Sequence, residues 1–381
     1  MHRRSISRRA LLGGAFATVA AVPLISLVRA NAATVLPMTV TNNTGKFADG
    51  DINVYVVGTN LDTGQQGFVN ESGFQAAAAS LNGADGFADL SVPLTATISL
   101  PHMSGRVYFS LGEKLKFKVV TDGAGNAALQ HPAGWVESDP SFGVLYDVVE
   151  FTFNDAGMFC NTTSVDMFSV PAEITLTGAK TQTVGTFKPG ARAAIFAAMA
   201  KEPAFAPLIV DDLRVIAPGH GLEAGTFPAD FYDSYVDQVY AKYSGTDLRI
   251  STNAGTFTGR VQGDSLVFDR GAAAMARPST RDILFCDGKL AAPNDGITGP
   301  VAAVLGAAFN RSTLLDSADQ PTADAGSFYQ EAVTNHYSRV LHENVVDGRI
   351  YGFAFDDVVD FASFIQDAAP TRFTVNLTPF A

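Results

Sequence analysis

Two acids, Glu150 and Asp166, stand in the stretch Tyr146 to Phe168, YDVVEFTFNDAGMFCNTTSVDMF. Side chains of an extended strand alternate faces, so Glu150, Thr152 and Asn154 share one face while Val149, Phe151 and Phe153 share the other. Asn154-Asp155-Ala156-Gly157 supplies turn residues, and a second β-rich run starts at Met158. The resulting turn lets the two acids approach. A carboxyl pair across a sugar-sized gap is the equipment of glycosidic hydrolysis, one group donating a proton and the other acting as base or nucleophile. The plainer reading makes Glu150 a surface acid on an edge strand and Asp166 a turn or cap residue. Asp139, Asp147 and Asp155 are competing acids nearby, and Asp155 suits the turn itself.

The elements that must position these acids are strands. From Thr34 the chain alternates through Met38 to Thr41, Ile52 to Gly58, Leu90 to Leu100, Gly105 to Ser110, Leu115 to Val120 and Ile174 to Thr177, with Gly, Asn and Asp turns between. Short, regularly spaced strands predict a sandwich or barrel. Near Lys180 the pattern becomes mixed. Helices are expected over Gly190 to Lys201, Asp230 to Tyr243, Pro300 to Phe309 and Ser327 to Glu343, with short strands at Leu248 to Ser251, Thr256 to Val261 and Ser265 to Phe268. Strand character returns at Arg349 to Phe355 and Arg372 to Leu377. The expected fold is therefore mainly β with an α/β insertion: residues 33–180 a β domain, 181–344 a mixed α/β domain, and 345–381 strands rejoining the first, with a cleft between the two.

Residues 1–32 read as an export signal. Arg3, Arg4, Arg8 and Arg9 precede an apolar run, Ala30-Asn31-Ala32 offers a cleavage site, and Ser7-Arg8-Arg9-Ala10-Leu11-Leu12 has twin-arginine character. The expected location is extracellular, by the twin-arginine route from a bacterium, with no membrane attachment after cleavage. Losing that segment removes five Arg and no acids, taking the net charge from −12 to −17, which excludes nucleic acid as a natural partner. Cys160 and Cys286 could form one disulfide or remain buried thiols. No His/Cys spacing suits a metal, and no cofactor is implied. Tyr235 and Tyr243 are expected to pack, His336 and His342 fall on different helix faces, and Trp135 suits a groove edge or a core plug equally.

EFTFNDAG from Glu150 to Gly157, Phe159-Cys160-Asn161-Thr162, Val165-Asp166-Met167-Phe168 and YGFAFDDV from Tyr351 to Val358 together resemble glycoside hydrolase family 64, endo-β-1,3-glucanases of thaumatin-like architecture. The resemblance implies Glu150 as general acid and Asp166 as general base of an inverting hydrolysis. It implies sugar contacts at Thr152, Asn154, Phe159, Thr163, Asp356 and Asp357, with Phe159 standing where the family can place a Trp. It implies β-1,3-glucan as the partner, short products such as laminaripentaose, and a monomer. The alternative class is a non-catalytic thaumatin-like glucan-binding protein; a glycosidase for another linkage is a third.

Overall fold

The computed structural model describes residues 35–380, so the expected export signal lies outside the described residues. The β-rich segments stack as two sheets. One has five strands in the order Thr181–Val184, Ala172–Thr177, Arg372–Leu377, Val35–Asn42 and Ile98–Pro101. Its Val35–Asn42 and Arg372–Leu377 strands run parallel. The other sheet runs Phe364–Asp367, Gly157–Thr162, Leu145–Asn154, Met103–Leu111, Ile52–Asn60, Gln66–Asn70 and Gly73–Ala76, with Val92–Pro93 against Ile52–Asn60.

Alternation decides both faces of the larger sheet. Val149, Phe151 and Phe153 point inward and bury with Val107, Phe109, Ile174 and Val375 between the sheets. Each such side chain contributes about 1.5–3 kcal/mol of burial. On the opposite face Tyr146, Val148, Tyr108 and Tyr55 pack under Phe117 and Leu129, with Trp135 at the rim. Further along, the apolar cover ends and polar side chains take over that face.

A mixed region follows. Helices Asp233–Gly245 and Thr298–Asn310 pack on a five-stranded sheet built from Met275–Ala276, Ser265–Phe268, Gly255–Gln262, Leu248–Thr252 and Asp319–Gln320. Tyr235 and Tyr243 are buried there, each bonded to the backbone of Leu314.

Two expectations need correction, and one open alternative is decided. The helix expected over Ser327 to Glu343 forms only at His336–Glu343, where Asn335 caps it by accepting from the Ser338 N–H at 3.1 Å. Arg349 to Phe355 forms no strand. That segment is tied down by the buried Asp356 carboxylate instead, and the chain rejoins the sandwich at Phe364–Asp367. Cys160 and Cys286 are free thiols buried in separate clusters, so there is no disulfide. Two short helices, Pro218–Glu223 and Thr280–Phe285, were not anticipated. The second begins with a Ser279/Asp282 capping box that was readable as a helix start.

Asp147, on the inward face of Leu145–Asn154, accepts from the backbone N–H groups of Val148, Ser169 and Val170 at 2.8, 2.8 and 3.0 Å. Burial outweighs these donors and pushes its carboxyl up to about 7 from 3.8. The folded state therefore holds a proton that the unfolded chain has released, and stability present below about 3.8 is lost as pH rises through about 7. We expect melting temperature to fall across that window, and Asp147→Asn to flatten this part of the profile. Equal slopes in both proteins would contradict it.

Candidate active site

Strand register assembles the site row by row. Arg106 lies opposite Glu150, and Glu150 opposite Asn161; the next row places Ser104, Thr152 and Phe159 side by side. Residues directly opposite share a face, so these side chains all project from the outer side of the sheet. Arg106 donates from Nε at 3.0 Å and Nη2 at 2.7 Å to Glu150 Oε1, and Asn161 Nδ2 donates to Oε2 at 3.1 Å. Ser104 Oγ and Thr152 Oγ1 are hydrogen-bonded at 2.9 Å.

Asp166 comes from beyond the hairpin. Its loop is held by Ser164, whose N–H donates to Tyr351 O at 2.8 Å and whose carbonyl accepts from the Tyr337 hydroxyl at 2.7 Å. Arg106 Nη1 reaches Asp166 Oδ2 at 3.8 Å. One guanidinium thus faces both acids, and its contacts of 2.7 and 3.8 Å keep the facing oxygens within about 9 Å of each other. Burial works against the Arg106 charge, but Glu150, Tyr108 and Asp166 outweigh it and hold the guanidinium well above its usual pKa. Glu150 is 15% exposed and Asp166 29%, so both are shielded yet reachable.

A small pocket opens beside the pair, lined by Arg106, Tyr108, Trp135, Tyr146, Thr163 and Asp166 among others. Trp135 lies on a loop pinned by Arg214, which donates to the carbonyls of Gly134, Phe142 and Val144. The chemistry available is a carboxyl pair bridged by a cation, opening on a neutral polar face. Among the described residues, no group of three His, Cys, Asp or Glu side chains could hold a metal ion.

The family model for β-1,3-glucanases, glycoside hydrolase family 64, matches residues 34–377. The chain belongs to that family. It is similar to a glucan endo-1,3-β-glucosidase of Arthrobacter sp. (strain YCWD3), at 34% identity over 99% of this chain and 72% of that protein. Its fold is similar to that of a laminaripentaose-producing β-1,3-glucanase solved in complex with laminaritetraose, with a TM-score of 0.84 and 35% identity over 92% of this chain and 100% of that one. A family 64 β-1,3-glucanase domain from Clostridium beijerinckii matches with a TM-score of 0.82 and 28% identity over 91% of this chain and 98% of that one. By class, the chain is an endo-β-1,3-glucanase, a hydrolase.

Within this family 64 chain the expected site residues fall into two groups. Glu150, Thr152, Asn154 and Phe159 share the outer face of one hairpin, with Asn154 Oδ1 also accepting from the Ala156 N–H at 2.8 Å in the turn. Thr163 and Asp166 line the pocket. Asp356 is a correction: it is fully buried, and its oxygens are taken by Arg311, His342, Ser338 and the Gly352 N–H, leaving no position for a sugar hydroxyl. Asp357 beside it is exposed and interacts with Tyr351. Burial, then the charges of Asp357 and Glu150, push the Tyr351 hydroxyl well up.

Sequence reasoning missed Arg106 and His220. Arg106 was discoverable in principle as the one charged residue in the expected strand Gly105 to Ser110. His220, far along the chain in Pro218–Glu223, carried no local signal.

Proposed function

We propose that this family 64 enzyme is an exported, monomeric β-1,3-glucanase that cuts internal linkages by single displacement, with Glu150 as general acid and Asp166 as general base. The observation that carries the assignment is the Arg106 guanidinium facing both carboxylates at the mouth of the pocket. A span bounded at about 9 Å admits both the inverting separation of roughly 6.5–9.5 Å and the retaining one of roughly 5–5.5 Å, and single displacement is taken from the family resemblance. In this reading Glu150 delivers a proton to the departing glycosidic oxygen. Asp166 draws a proton from the attacking water on the opposite face of the ring.

Thr152, Asn154, Phe159, Thr163 and Asp357 are the proposed sugar contacts. Phe159 offers an aromatic face for stacking, and the neutral polar row around Thr152 suits sugar hydroxyls. We read the two stacked sheets as the thaumatin-like sandwich of the family, export as twin-arginine dependent, and the main product as laminaripentaose, like that of the laminaripentaose-producing relative.

Proton NMR of laminarin digestion tests the mechanism. The first-formed reducing end should be the α-anomer, since inversion converts a β-linkage to α; an initial β-anomer would replace single displacement by a covalent intermediate. In the same assay β-1,4- and β-1,6-glucans should remain uncut.

A further inference from the structure

Behind Asp166, on the side away from Arg106, stands a histidine. His220 Nε2 lies 2.8 Å from Asp166 Oδ1. An ionised carboxylate only accepts, so in that contact Nε2 carries the hydrogen. His220 Nδ1 is buried without a hydrogen-bond partner among the described residues, its nearest charged neighbour being Glu223 Oε2 at 3.8 Å.

Packing fixes the imidazole. Trp135 stacks on it, with ring centroids 4.5 Å apart and planes 18° from parallel, and Phe285 meets it edge-on at 5.5 Å. Its helix, Pro218–Glu223, sits close against its neighbours because glycines flank the histidine. A Cβ at Gly219 would come within 3.0 Å of the Phe285 ring, and one at Gly221 within 2.1 Å of Leu208 Cδ2. The backbone completes the coupling. Met167 pairs with Ile216, and the Ala217 N–H donates to Asp166 O at 3.0 Å, so acid and histidine hang from the same short strand pair.

We propose that His220 is a positioning residue for hydrolysis: it holds one oxygen of Asp166 so that the other, Oδ2, is the one presented to the attacking water. The proposal rests on the reading of Asp166 as general base. In that geometry His220 neither touches the sugar nor exchanges a proton in the reaction. Its N–H fixes the carboxylate rotamer, and Trp135 fixes the N–H. Outer partners that orient metal-ligating side chains are worth about 10–100-fold in activity, and the same scale is taken for a donor that orients a general base.

The test compares His220→Leu, which keeps bulk against Trp135 but removes the donor, with His220→Gln, whose amide nitrogen can occupy the Nε2 position. Laminarin kinetics and melting temperature are measured for both, and for Asp166→Asn alone and combined with His220→Leu. We expect kcat to fall about 10–100-fold in His220→Leu, with KM within about threefold of the parent, and to recover mostly in His220→Gln. In the Asp166→Asn background, His220→Leu should cost little more, because both changes disable one unit.

Full activity in His220→Leu, or equal losses in the Leu and Gln variants, would overturn the positioning role; the latter would make His220 a packing residue only. If His220→Leu melts well below the parent, the Gln variant and the double-variant cycle still decide between donor and packing. An active Asp166→Asn enzyme would instead refute Asp166 as the base, a result distinguishable from failure of the histidine's role alone.

Discussion

Glu150→Gln should lower laminarin turnover by at least about 10²-fold, and by up to about 10⁴-fold, while glucan binding stays within a few-fold of the parent. The amide matches the carboxyl in size, and its carbonyl can still accept from Arg106, so the row Arg106, Glu150, Asn161 keeps its shape. What disappears is the transferable proton. One local cost is visible: Asn161 Nδ2, which donates at 3.1 Å to Oε2, would face an amide N–H₂. That hydrogen bond is worth about 0.5–1.5 kcal/mol, and the charge lost opposite Arg106 adds to it, so the melting curve is needed to separate stability from the lost general acid. Reducing-sugar release, a glucan-affinity measurement and a melting curve separate these effects. Turnover within about threefold of the parent would remove Glu150 from the acid role, whatever the family resemblance implies.

Asp356→Ala is expected to destabilise the protein by about 3–5 kcal/mol, the usual penalty for removing one partner of a buried ion pair. Arg311 and His342 would be left without their carboxylate at 2% and 5% side-chain exposure. Arg311 Nη2 donates to Asp356 Oδ1 at 3.0 Å, and His342 Nε2 pairs with Oδ2 at 2.8 Å. Phe361 covers both, stacking on the His342 ring at 4.2 Å and lying 5.2 Å from the Arg311 guanidinium. Burial opposes the Asp356 charge, yet His342, Arg311 and the Gly352 N–H hold its carboxyl below the ordinary range.

The consequence reaches the site, because this anchor fixes the segment that carries Tyr351, whose carbonyl accepts from the Ser164 N–H and so holds the Asp166 loop. Thermal and chemical denaturation with kinetics on the same samples checks the expectation. A raised KM at unchanged melting temperature would restore Asp356 as a sugar contact; a large melting shift at near-parental KM below the transition confirms it as an internal anchor.

The part of the site legible from local pattern is the hairpin. Period-two alternation in VVEFTFN sends Glu150 and Thr152 to one face and the valine and phenylalanines to the core, and the Asn-Asp-Ala-Gly turn brings Phe159 and Asn161 beside them. Most helix positions were readable for the same reason: each depends on residues close together in the chain. The exceptions fail where tertiary contacts override local propensity. Tyr351-Gly352-Phe353-Ala354-Phe355 looks like a strand, but one buried carboxylate gathers Arg311, His342 and Gly352 around it, and the backbone turns instead.

Glu150 and Asp166 were readable as a pair of acids, yet not as a site. Their relation depends on Arg106 from a neighbouring strand and on His220 from a helix in the mixed region, set by register and by packing against Trp135 and Phe285. Strand alternation is a property of adjacent residues and is written into them. The span between two carboxylates is decided by which distant side chains fill the space around them, and only the folded chain brings those together.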